Sequence, residues 1–141
     1  MLSAYLSGAS SDRVAELLCR SLPGLKMTDT IDLGGNGSIS LFEGFGCKAT
    51  LETVPDRAWP IEVTISSDLF GKQFDSEPIA FGEWICDNLS CTVFVDCGGV
   101  YNLKHSDFVV RITHDKLESV LIPSGGASTD ESKTTLIRRR G

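Results

Sequence analysis

Residues 76–97, SEPIAFGEWICDNLSCTVFVDC, carry a helix start signal, a helical period and a strand period in immediate succession, an order that leaves the chain few ways to fold. Ser76 or Glu77 supplies an N-cap, and Pro78 falls in the first turn, where its missing N–H costs nothing. Phe81, Ile85 and Leu89 then recur at i, i+4 and i+8 with Trp84 beside them, so one face of the helix is apolar. At roughly 100° per residue, Glu83 and Asp87 land on the opposite face, which predicts an acidic side turned to water. From Cys91 the period shortens: Cys91, Val93 and Val95 alternate with Thr92, Phe94 and Asp96, as in a strand. The stretch reads as a helix docking onto a core strand.

The rest of the chain supplies the layer that such a helix needs. Leu2, Ala4 and Leu6 alternate with Ser3 and Tyr5, a first strand ending at Gly8. Ser10, Ser11 and Asp12 are N-cap candidates before a stripe of Val14, Leu17, Leu18 and Leu22, which Pro23-Gly24 closes; this predicts a helix over 11–22 with Arg13, Glu16 and Arg20 outward. From Asp29 the texture is β: a turn at 34–37, strands at 38–45 and 48–54, and then Ile61, Val63 and Ile65 alternating with Glu62, Thr64 and Ser66. Residues 61–95 have the makings of a β-loop-α-β crossover, right-handed if its strands are parallel. Beyond Gly98-Gly99, short strands are predicted near 100–103, at 107–113 and at 117–122, with a turn at His114-Asp115-Lys116. After Pro123, SGGASTDESKTT has nothing to bury and predicts a flexible tail. The expectation is a single α+β domain over 1–123 and a C-terminal tail over 124–141. In that domain two helices, 11–22 and 77–89, pack on one face of a mainly antiparallel or mixed sheet of six to eight strands.

A chain of 141 residues suits one core, and 41% hydrophobic with 23% charged residues suggests neither disorder nor a fibrous repeat. No apolar run approaches the roughly 20 residues that cross a bilayer. The N-terminal MLSAYLSGASSDR has no base ahead of its short apolar stretch, which argues against a signal peptide and predicts a cytoplasmic protein. Five cysteines, Cys19, Cys47, Cys86, Cys91 and Cys97, form an odd set without C-x-x-C spacing, fitting neither a disulfide framework nor a common zinc site. Cys19, Cys86 and Cys91 lie beside apolar positions and read as small core residues.

Charge is unevenly spread. The net charge is −6, but residues 127–141 hold two acids and four bases, so residues 1–126 carry 17 acids against 9 bases, a net of −8. Within 62–96, Glu62, Asp68, Asp75, Glu77, Glu83, Asp87 and Asp96 face a single base, Lys72. Such a surface repels nucleic acid and anionic membrane and favours a basic partner, or it simply keeps the protein soluble.

Five constellations compete as sites. Gly34-Gly35-Asn36-Gly37 invites a phosphate-loop interpretation, but Ser38–Phe42 continues as strand where a helix N-terminus is required, so a hairpin turn is expected. Cys97, with His105 and Asp107 or Asp96, is the best catalytic set, since a thiol nucleophile needs a base and the base an orienting carboxylate; it defines the alternative of a small thiol-dependent enzyme. His105 and His114 sit on different segments with no third ligand at metal spacing, and no cofactor motif is present. Arg138-Arg139-Arg140 is too short to anchor nucleic acid; contact with the acidic face of the same chain or with a neighbouring subunit is the economical expectation. The fifth is an interaction surface: Glu83 and Asp87, extended by Asp75, Glu77 and Asp96, steer a basic partner, with Phe70, Phe74 and Trp59 on nearby loops as anchors.

In general character, as a small acidic α+β chain without a cofactor motif, the sequence is similar to bacterial immunity proteins, which neutralise a toxin by covering its often basic active site. The similarity lies in character and not in motifs, so it carries no functional residue across. It implies a non-enzymatic module that sequesters or inhibits a basic protein, in monomeric form or as a homo-oligomer. A self-assembling structural subunit is the other alternative.

Overall fold

The computed structural model describes residues 2–22, 24–44, 46–55, 59–66, 77–96, 108–121 and 130–140. Its elements run β1 (Leu2–Ser7), α1 (Ser11–Ser21), β2 (Lys26–Asp32), β3 (Ser38–Gly44), β4 (Cys47–Thr53) and β5 (Ile61–Ser66), followed by α2 (Pro78–Leu89), β6 (Thr92–Val95), β7 (Phe108–Ile112), β8 (Lys116–Leu121) and β9 (Asp130–Arg139). This is the expected α+β class, with one strand more than the upper end of the expected range among the described residues.

The nine strands form one sheet in the order β2-β3-β4-β5-β1-β6-β7-β8-β9, and each neighbouring pair is antiparallel. β1 lies at the centre, with Tyr5 facing both Glu62 of β5 and Phe94 of β6. The segment from β5 through α2 to β6 therefore steps over β1, and its two strands, though parallel to each other, are not neighbours as a simple crossover would make them.

Alternation decides which face is covered. Leu2, Ala4 and Leu6 of β1, Ile61, Val63 and Ile65 of β5, and Val93 and Val95 of β6 are all buried in one core with Val14, Leu17 and Leu18 of α1 and Ile79, Phe81, Ile85 and Leu89 of α2. Both helices pack on this face. Gly82 marks the closest approach of α2 to the sheet: a Cβ there would come within 2.6 Å of Ile112 Cδ1 and 3.0 Å of Val95 Cγ1.

Local chemistry sets the ends of the elements. Ser10 caps α1, its hydroxyl accepting from the Arg13 amide at 3.3 Å. Glu77 caps α2 with Pro78 in the first turn, and Ser90, in the left-handed region at φ 51°, ends it while its amide donates to the Cys86 carbonyl at 2.9 Å. The 34–37 segment is a turn between β2 and β3, as expected. Gly37, at φ 106°, has no room for a side chain because a Cβ would strike the Thr53 carbonyl of β4.

The tail departs from expectation. Asp130–Arg139 is not unstructured but forms β9, antiparallel to β8. Hydrophobic burial contributes little, since Leu136 is 48% exposed and Ile137 is only partly buried; the segment is held chiefly by the β8 ladder and by its arginines. Between the Leu117–Arg138 and Glu118–Leu136 pairs the register shifts, leaving Ile137 as an extra residue that packs on the core. No helix among the described residues is long and apolar enough to cross a membrane.

Candidate functional site

Glu83 and Asp87, four residues apart on α2, share one side of the helix and meet arginines at the C-terminal end of the chain, Glu83 partly covered and Asp87 with its side chain still 59% exposed to water. Arg138 Nη2 donates to Glu83 Oε1 at 2.9 Å, and Arg140 Nε donates to Glu83 Oε2 at 2.9 Å. The other end of the Arg140 fork reaches Asp87, Nη2 to Oδ1 at 2.7 Å. Each oxygen of Glu83 thus holds one arginine, and Arg140 bridges the two acids.

Arg140 is held from further directions. Its Nη1 donates to the Thr113 carbonyl at 2.6 Å and lies 3.7 Å from Cys86 Sγ, while its backbone amide donates to the Asp115 carbonyl at 2.8 Å. Its side chain is 9% exposed, against 46% for Arg138. Burial by itself lowers the pKa of such a guanidinium, but the hydrogen bonds to Asp87 and Glu83 outweigh it and hold the group above its ordinary value. Burial likewise pushes the Cys86 thiol up, opposed by Arg140 beside it, so this sulfur is not activated.

The other expected site residues are dispersed. Glu77 is spent on the cap of α2, its carboxylate accepting from the Ile79 amide at 3.3 Å. Asp96 is exposed one residue beyond β6. Trp59 lies away from the acid pair: its ring meets Tyr5 at 5.8 Å and Phe94 at 5.6 Å, and both of those side chains alternate away from the helix-covered face. The structure does not bring Trp59 together with Glu83 and Asp87. Asp75, Phe70 and Phe74 fall outside the described residues, as do Cys97, His105 and Asp107 and the strand expected near 100–103. His114 is solvated, with a 90% exposed side chain, and among the described residues no group of three or more candidate ligands could hold a metal.

On the second face of the sheet, a shallow groove of about 440 Å³ is bounded by Phe94, Arg111, His114 and Glu118. Glu118 is buried there and accepts from Arg111 Nε at 3.2 Å and Nη2 at 3.0 Å, with Lys116 Nζ at 3.6 Å from its other oxygen. Its charge is thus answered within the chain, and the groove is a structural ion-pair site more than a poised acid or base.

Both acidic sites hold a guanidinium, Glu118 that of Arg111 and the α2 pair those of Arg138 and Arg140. The α2 pair differs in taking two of them, from the edge segment of the sheet. Both members were legible from helical spacing; the arginines that complete the site were legible as a basic cluster facing an acidic body, but not as a strand. Compared with protein-family models, curated proteins and solved structures, the chain finds no match.

Proposed function

We propose that the protein is a non-enzymatic, cytoplasmic binding module that sequesters or inhibits a basic protein partner, most concretely an immunity protein that neutralises a toxin. The observation carrying this proposal is the acid pair on α2: Glu83 and Asp87 are placed to receive two arginine side chains projecting from an extended segment. The surplus of acids over bases in residues 1–126 supports it, because a body of that sign accelerates the approach of a basic protein.

Reversing Glu83 and Asp87 alone would set them against Arg138 and Arg140 and confuse binding with folding. The informative variant exchanges the charges, Glu83→Lys and Asp87→Lys with Arg138→Glu and Arg140→Glu. It is used once its circular dichroism and denaturant midpoint match the native protein, because Arg140→Glu also removes the donor to the Thr113 carbonyl. Native and exchanged proteins are used to capture partners from a lysate of the source cells at low salt; the partner eluted by high salt is purified and its affinity for both proteins measured. The expected result is a basic protein whose affinity falls at least tenfold for the exchanged variant, and falls for the native protein as salt is raised. A complex indifferent to both the exchange and the salt removes the basis of the proposal.

A further inference from the structure

β9 shows what kind of segment the acid pair fits. Arg138 lies in β9 and Arg140 one residue past its end, where its amide still bonds the Asp115 carbonyl, so on an extended backbone their Cα atoms are separated by about 6.7 Å. Glu83 and Asp87 are four residues apart on a helix, an axial separation of about 6 Å. An extended Arg-x-Arg segment laid along the edge of β8 therefore comes into register with a Glu-x-x-x-Asp helix crossing above it, and the observed bonds realise this match. Lysine is a poor substitute at the second position, because Arg140 uses three separate nitrogens on Glu83, Asp87 and the Thr113 carbonyl at once.

Of the other described side chains, Ile137 packs on the core and several are turned to solvent. Leu136 is exposed, Lys133, Thr135 and Arg139 are exposed, and the ladder to β8 is broken by two register shifts. What holds β9 is the backbone edge of β8, Ile137 on the core and two guanidiniums, features that another extended chain can present.

Resting on the binding function proposed above, we infer that the partner element is an extended Arg-x-Arg segment that adds to β8 in place of β9, and that β9 is a built-in competitor for it. Being tethered, β9 competes at an effective concentration on the order of millimolar, so the apparent affinity of an incoming segment is reduced by the fraction of time the site is free. At either end of the exchange the acids are paired, by the guanidiniums of β9 or by those of the incoming segment.

The test uses the full chain and a fluorescent twelve-residue peptide of sequence DESKTTLIRRRG, identical to residues 130–141. Its affinity is measured for the native protein and for the Arg138→Ala/Arg140→Ala variant, alongside a control peptide with alanine at the same two arginine positions. The inference expects the arginine peptide to bind the variant at least tenfold more tightly than it binds the native protein, and the control peptide to bind neither. Equal affinity for both proteins, or equal binding of both peptides, overturns it.

Should the variant not fold, hydrogen exchange on the native protein decides. Excess arginine peptide should lower protection of the β9 amides and leave the central strands β1 and β5 unchanged, whereas β9 protection that the peptide does not alter overturns the exchange. The two proposals fail separately. A basic protein whose capture depends on the acid pair, from a module whose β9 never exchanges, preserves the first and eliminates the second.

Discussion

Burial gives Cys91 a chemical state of its own. It is 7% exposed, and removal from water, reinforced by the Cys86 thiol nearby, pushes its pKa up from 9.0 to about 11. The folded state therefore holds the thiol proton more tightly than the unfolded chain does. Below pH 9 both states keep it and this contribution to stability is fully present; as pH rises from 9.0 towards about 11 the unfolded chain ionises first and stability falls. Urea titrations below, within and above that window should show this decline, and Cys91→Ala should flatten it. That Cys86 and Cys91 are core residues was legible from their apolar neighbours. The contact between Cys86 and Arg140 was not, because residues 54 apart carry no shared local pattern.

Periodicity reveals elements that bury a face and misses those that do not. β5 alternates Ile-Glu-Val-Thr-Ile-Ser and α2 repeats its apolar residues at helical spacing, since each must hide one side from water. β2, KMTDTID, is exposed along its whole length, and β9 is largely polar; both are edge strands, held by pairing with β3 and β8. A backbone ladder leaves no mark on side-chain alternation, which is why β9 was not expected and β2 showed only as β texture from Asp29 ahead of the 34–37 hairpin turn. Gly82 is the converse case, a residue that looks like a defect. In a helix interior glycine costs about 1 kcal/mol relative to alanine, yet here its missing side chain lets α2 settle onto Val95 and Ile112. Gly82→Val should destabilise the protein by about 3 kcal/mol through overpacking, read from the shift in a denaturant midpoint. Gain of stability, as helix propensity alone would give, would show that the helix can lift off the sheet without cost.

At the scale of the molecule, β1 joins two runs of antiparallel strands, β2 to β5 on one side and β6 to β9 on the other. Since both runs pair with β1 and the helices cover the sheet across this seam, they should unfold together. The two tryptophans are placed to report on this: Trp84 lies on α2 against Phe81, and Trp59 on the second face against Tyr5 and Phe94. Trp59→Phe and Trp84→Phe each leave one reporter, and each variant's fluorescence transition should coincide with its own far-ultraviolet circular dichroism transition. Fluorescence and dichroism midpoints that separate within one variant would show the two faces melting independently.

Sequence by itself determined the α+β class, the core faces of β1, β5, α1, α2 and β6, and the pairing of Glu83 with Asp87 on one helical side. All of these follow from the spacing of apolar and charged residues within a single element, a local quantity. Tertiary structure decided that β1 divides β5 from β6, that the last residues form a strand, and that the acid pair meets arginines of the same chain. Those outcomes depend on which backbone edges meet across long separations. Nothing in the local pattern fixes such a meeting, and here it set the two acids of α2 against Arg138 and Arg140 of the same chain.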